Sequence, residues 1–163
     1  MQARRATPQD AEVIARIYNE GIEDRMATFE TRLRTADEVG AWFDGVHPIV
    51  VVVEEGSDLI GFGATFPYRS RECYAGIAEA SLYVARAWRG HGAGRLALTA
   101  LLKAAEEAGF WKLVSRIFPE NQASRALVRS AGFREVGTYH KHARLDGVWR
   151  DVIIVERLID ERL

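Results

Sequence analysis

What the chain has little of narrows it first. One cysteine, Cys73, stands among 163 residues, which excludes an internal disulfide and any cysteine-based metal cluster. The four histidines, His47, His91, His140 and His142, show no metal-ligand spacing, so no metal is expected. No apolar run is long enough to span a bilayer, and Met1-Gln-Ala-Arg-Arg-Ala-Thr-Pro8 has no signal-peptide core. No membrane partner is therefore expected, and the reducing cytoplasm is the natural setting. Charge of one sign is also lacking: 22 basic residues face 23 acidic ones, for a formal net charge of −1. A phosphate backbone usually demands a basic face, so no nucleic-acid partner is expected. No repeat, low-complexity tract or linker interrupts the sequence, and residues 1–163 read as one domain able to bury a sizeable core.

What is present alternates helical and extended patterns. Thr7-Pro8-Gln9-Asp10 reads as a helix start, with a hydroxyl cap, proline at the first position and an acid in the first turn. Ala11, Ile14, Ile17 and Tyr18 follow at helical spacing, and Gly21 is placed to end that helix. Thr35-Ala-Asp-Glu38 has the capping-box pattern ahead of Val39, Trp42 and Phe43. The stretch between, Ile22 to Arg34, has no clear period and reads as a loop or a broken helix. A long connection of this kind is often functional. Ile49-Val-Val-Val-Val53, turn residues Glu55-Gly-Ser-Asp58, and Leu59 to Phe66 read as a hairpin. Glu79 to Val84 is the next strand, with Glu79, Ser81 and Tyr83 on one face and Ala80, Leu82 and Val84 on the other.

The most informative stretch comes next. The strand runs into Arg89-Gly90-His91-Gly92-Ala93-Gly94-Arg95 and then into a helix marked by Leu98, Leu101, Leu102 and Ala105, ending near Gly109. Three glycines at a strand-to-helix junction let backbone amides converge on one object. The helix dipole makes that object an anion, most simply a phosphate. Beyond it, Leu113 to Phe118 reads as a strand. Asn121 caps a helix carrying Leu127, Val128 and Ala131, closed by Gly132. Arg134 to Tyr139 and Val148 to Val155 form a hairpin around Asp146-Gly147. This order predicts an α+β fold with a mostly antiparallel central sheet of about six to seven strands, flanked by four helices.

Arg89-x-x-Gly92-x-Gly94, with Asn121-x-x-Ser124 and Ala131-Gly132-Phe133 downstream, resembles the acetyl-CoA-binding signature of GNAT N-acetyltransferases. Ile17-Tyr18-Asn19, Glu23, Thr28-Phe29, Pro67-Tyr68-x-x-Arg71-x-x-Tyr74, Glu79-x-Ser81-x-Tyr83-Val84 and Gly147-x-Trp149-x-Asp151 make the chain similar to the phosphinothricin and methionine sulfoximine acetyltransferases. The run Glu23 to Thr31 looks most like the arsinothricin enzymes of that group. The glycine motif alone is only moderately specific; recurrence in order over nearly the whole chain is strong.

The resemblance implies an acetyl-CoA cosubstrate held by the backbone of Leu82, Tyr83 and Val84, by Arg89, Gly90, His91, Gly92, Ala93, Gly94 and Arg95 at the pyrophosphate, and by Asn121 and Ser124. It implies Glu79 as the base for the attacking amine, with Ser81 holding a relayed water. A backbone N–H, expected at Val84, would polarise the thioester carbonyl. Thr28 and Phe29 would wall the acceptor pocket, and Arg71 with Tyr74 would bind a small amino-acid-like substrate through its oxyanions. A homodimer is implied, and Tyr139 to His142 could reach a site in either copy. Many members carry a tyrosine where this chain has Val128, so the proton donor to the leaving thiolate is left unassigned. The expected activity is acetylation of the α-amine of arsinothricin or phosphinothricin, conferring resistance. Acetylation of methionine sulfone or sulfoximine, or a non-catalytic acyl-CoA sensor, are the alternatives.

Overall fold

A computed structural model describes residues 1–56 and 58–160. Ser57, part of the expected turn at 55–58, lies outside the described residues. Seven strands form one sheet: β1 (Gln2–Arg5), β2 (Ile49–Val53), β3 (Leu59–Pro67), β4 (Ile77–Val84), β5 (Lys112–Ile117), β6 (Arg134–Leu145) and β7 (Val148–Leu158), in the order β1-β2-β3-β4-β5-β7-β6. Every pairing is antiparallel except β4 with β5. Four helices cover it: α1 (Ala11–Asp24), α2 (Ala36–Gly40), α3 (Ala93–Glu107) and α4 (Gln122–Ser130). This is the expected α+β architecture.

The sheet has a helix layer on each face, which is why β2 is a continuous apolar run rather than an alternating one. Ile49 and Val51 pack with Ile14, Ile17 and Val39 under α1 and α2. Val50 packs with Leu98 and Leu101 of α3, and with Leu113 and Val155, on the other face. Each fully buried leucine or isoleucine contributes about 1.5–3 kcal/mol relative to exposure, so these two layers hold the sheet between them.

Several boundaries differ from the expected ones. β1 was not foreseen: Gln2-Ala-Arg-Arg5 is a largely exposed edge strand with no apolar alternation to reveal it. Thr7 opens a single 3-10 turn, Pro8–Asp10, ahead of α1, and the Asp10 carboxylate accepts the Thr7 N–H at 2.8 Å. Gly21 does not end α1, which runs on to Asp24 and stops where Arg25 turns left-handed at φ 57°. Gly21 is needed for close packing instead: a Cβ there would stand 2.6 Å from the Tyr83 ring. The capping box is present, with the Thr35 hydroxyl accepting the Glu38 N–H at 3.2 Å. The β6–β7 hairpin turns at Asp146 and Gly147, both at positive φ (50° and 78°), as the tightest hairpins require.

Candidate functional site

The site follows from the one parallel pairing. β4 and β5 pair only over Ile77–Glu79 and Lys112–Val114. Both strands continue beyond that point, β4 to Val84 and β5 to Ile117. Between their outer halves lies a cleft of ≈ 520 Å³ lined by Ser81–Val84 on one side and Ser115–Phe118 on the other. Where the strands part, the Ser115 hydroxyl donates to the Ala80 carbonyl at 2.8 Å. The next outward-turned backbone groups on the β3 side are marked by the Ala85 N–H, which donates to Ile60. Backbone groups alternate in direction along a strand, so Leu82 and Val84 turn theirs away from β3 and into the cleft.

At the open end the cleft meets the start of α3. Gly90 and Gly92 take φ values of 81° and 93°, a conformation that favours glycine. Gly92 caps α3 without a side chain, and the first turn carries no acid. The first amides and the positive end of the helix therefore have neither a side-chain cap nor an acid of the first turn as partner. Gly94 permits close approach: a Cβ there would stand 3.1 Å from Leu127 of α4. Asn121 accepts the Ser124 N–H at 3.2 Å, capping α4, and donates to the Met26 carbonyl at 3.2 Å. One side chain thus ties α4 to the loop that follows α1.

Of the residues expected at the cofactor, Leu82, Tyr83, Val84, Arg89, Gly90, Gly92, Gly94, Arg95, Asn121 and Ser124 line this cleft. His91 and Ala93 do not. The His91 ring lies 3.0 Å from the Arg89 carbonyl, and Ala93 is buried against Val52 and Ile60. Arg89 is engaged already: its guanidinium pairs with Asp24 at 2.5 Å and its Nε donates to the Val84 carbonyl at 3.3 Å. Asp24, with Arg86 and Arg89 both donating to it, is held below the usual carboxylate range. Sequence reading missed Asp24 because its partners lie more than sixty residues downstream.

The acceptor side is the sheet face beneath the loop after α1. Glu79, Ser81 and Tyr83 share that face as the alternation predicts, opposite Ala80 and Leu82, which pack toward α3. Tyr83 stacks on Phe62 and meets Tyr18 edge-on at 5.0 Å. Burial pushes its phenol up, with Tyr18 adding to the shift, so the hydroxyl keeps its proton. Arg116 of β5 and Phe118 just beyond its end face the same side; Arg116 stands 3.5 Å from the Glu79 carboxylate. Phe29 meets Phe118 edge-on at 5.0 Å and packs with Leu145 and Val152. Thr28 interacts with the Tyr83 and Tyr18 hydroxyls. Arg71 and Tyr74 stand on the β3–β4 connection that leads into Glu79; Arg71 is exposed and Tyr74 meets Tyr68 edge-on. Val128 is buried in the cleft wall and offers no proton. Arg116 was overlooked because β5 also carries Lys112 and Ser115, so an arginine there does not stand out, and its partner Glu79 is set only by the β4–β5 pairing.

A cleft with open amides at one end, bordered by a strand face that carries a carboxylate and a hydroxyl, can hold an anionic cosubstrate and take a proton from an acceptor. The sequence profile of the Acetyltransferase (GNAT) family matches residues 14–133, and the chain belongs to that family. It is similar to the phosphinothricin N-acetyltransferase of Streptomyces coelicolor, 30% identical over 163 residues, covering 96% of this chain and 95% of that one. It is also similar to an L-amino acid N-acyltransferase of Escherichia coli, 31% identical, covering 99% and 96%. Its fold matches the phosphinothricin acetyltransferase of Sinorhizobium meliloti solved with acetyl-CoA, with TM-score 0.91 and 27% identity over 98% of this chain and 89% of that one. The protein is an N-acetyltransferase that draws its acetyl group from acetyl-CoA. Among the described residues no cluster able to hold a metal is present, and no helix is long and apolar enough to cross a membrane.

Proposed function

We propose that the enzyme acetylates the α-amino group of a free, glutamate-like antibiotic bearing a tetrahedral oxyanion, arsinothricin or phosphinothricin, and thereby confers resistance in the cytoplasm. The observation that supports this reading is the acceptor face, where Glu79 and Ser81 share one side of β4 and Arg116 stands 3.5 Å from the Glu79 carboxylate. An acid and a base side by side suit the paired charges of a free amino acid. The named activities of the Streptomyces and Escherichia relatives support the same substrate class.

Acetyl-CoA, when bound, supplies an activated acyl group on a thiol leaving group of ordinary acidity, roughly pKa 8.5. The amides of Gly92 to Arg95 and the outward backbone of Leu82 and Val84 suit its pyrophosphate and pantetheine arm. The Val84 N–H is suited to polarise the carbonyl under attack. Glu79 accepts the proton of the incoming ammonium, directly or through a water at Ser81. Thr28 and Phe29 close the pocket from above, and Arg71 and Tyr74 approach the substrate's side-chain oxyanion from the β3–β4 connection. Proton return to the thiolate falls to water, since Val128 cannot donate.

A homodimer joined along β6 accompanies this reading. That edge strand is exposed along nearly its whole length, and Val136, Tyr139, Val148 and Trp149 present apolar surface on the hairpin it forms with β7. Thiol release from acetyl-CoA, measured with arsinothricin, phosphinothricin, methionine sulfone, glutamate and a short peptide, tests the function. Highest kcat/KM is expected for the two antibiotics. Preference for methionine sulfone moves the assignment to that substrate, and turnover of the peptide alone overturns it.

A further inference from the structure

Several arginine–carboxylate pairs are made at two points and at hydrogen-bond distance. Arg4 grips Asp10 at 2.9 and 3.0 Å, and Arg32 grips Glu38 at 3.0 and 2.8 Å. Arg116 and Glu79 differ. Their single approach is 3.5 Å, longer than the 2.7–2.9 Å typical of a charge-assisted hydrogen bond. Neither side chain has another hydrogen-bond or ionic partner among the described residues. Their side chains are 48% and 33% exposed, so both remain reachable. One carboxylate oxygen and most of the guanidinium fork are left over.

The surroundings are those of a recognition site. Arg116 lines the cleft and faces Ile154 across the β5–β7 ladder, with Phe118 two residues along on the same face. Two opposite charges therefore lie side by side on an apolar floor, next to Ser81. A free α-amino acid presents the complementary pair: standard bond lengths put its ammonium nitrogen and carboxylate carbon about 2.5 Å apart.

We infer that the Glu79–Arg116 pair is the receptor for the zwitterionic head of the substrate. The head enters between the two side chains, the ammonium donating to Glu79 and the α-carboxylate accepting from the Arg116 fork. One loose ion pair is exchanged for two close ones, and the planar guanidinium suits the planar carboxylate. The amine is thereby delivered to the group that removes its proton, so binding and activation share one contact. An internal residue's amide, or the N-terminal residue of a polypeptide, has no free α-carboxylate to give Arg116. The pair thus selects free amino acids over protein N-termini and leaves Arg71 for the side-chain oxyanion. This inference rests on the proposed amino-acid acetylation and names the residue that reads its carboxylate.

The test compares kcat/KM for phosphinothricin with that for its descarboxy analogue, 3-aminopropyl(methyl)phosphinic acid. Both are measured in wild type, Arg116→Ala, Arg116→Lys and Arg71→Ala, with acetyl-CoA binding as a check on folding. Wild type is expected to favour phosphinothricin by about 10-fold or more, the scale of one hydrogen bond to a charged group. That ratio should collapse toward unity in Arg116→Ala, through KM, and recover in part in Arg116→Lys. Equal loss on both substrates marks a merely structural arginine and overturns the inference. An unchanged ratio, or a collapse in Arg71→Ala instead, overturns it as well. Failure of the proposed function is seen separately: wild type then turns over neither compound while still binding acetyl-CoA, and the inference falls with it.

Discussion

The two ends of the cleft are built in opposite ways. The end at α3 is made of backbone: outward-turned groups of Leu82 and Val84, two left-handed glycines, and the uncapped first turn of a helix, all within residues 82–95. The end at Glu79 is made of side chains gathered from far apart: Phe29 after α1, Glu79 and Ser81 on β4, Arg116 on β5 and Phe118 just past it. On the proposed function the backbone cradle recognises what every turnover shares, the cosubstrate. A side-chain chamber can be re-lined residue by residue without disturbing the fold. The difference explains how one scaffold keeps its donor while changing its acceptor.

If the division is real, the two ends should fail separately. Glu79→Gln removes the proton acceptor while conserving shape, and should lower kcat by about 10²–10⁴-fold, the usual worth of a general base. Acetyl-CoA affinity, measured calorimetrically, should stay within a factor of two or so. Equal loss of cosubstrate binding would show that the ends are not independent. The converse change, Gly92→Ala, forces a side chain into a left-handed conformation that costs about 1–2 kcal/mol. The KM for acetyl-CoA should rise by about tenfold or more, with the KM for the amino acid little altered. A rise confined to the amino acid would reverse the assignment of the two ends.

One residue pair joins both ends and should not discriminate. Gly21→Ala sets a methyl against the Tyr83 ring at 2.6 Å. Tyr83 is itself packed between Tyr18 and Phe62, so it has little room to yield. Overpacking of this kind costs about 1–3 kcal/mol, which thermal unfolding would register, and both KM values should drift together by a smaller factor. A neutral substitution would mean that Gly21 is dispensable for packing.

The same contrast governs what the amino-acid sequence reveals. The β4 strand, the glycine turn, the Thr35 and Asn121 caps and the run of elements from α1 to β7 are local patterns, and they are legible. Eight of the ten expected residues that line the cleft fall between Leu82 and Arg95, and such a short segment carries its geometry with it. The acceptor end resists reading because its contacts are long-range. Arg116 meets Glu79 only after β5 is laid parallel to β4, and Asp24 meets Arg86 and Arg89 only after α1 crosses the sheet. β1 escaped for a different reason: an exposed edge strand needs no apolar face. Gly21 was misread because a glycine required by a neighbouring ring looks the same in sequence as one that ends a helix.

The most direct measurement is the structure of the product. Wild-type enzyme incubated with acetyl-CoA and phosphinothricin should yield equal amounts of free CoA and a phosphinothricin acetylated on its α-nitrogen, identified by mass spectrometry and NMR. Free CoA and acetate with the amino acid unmodified would contradict the central claim, as would an acetyl group found only on a peptide added in its place.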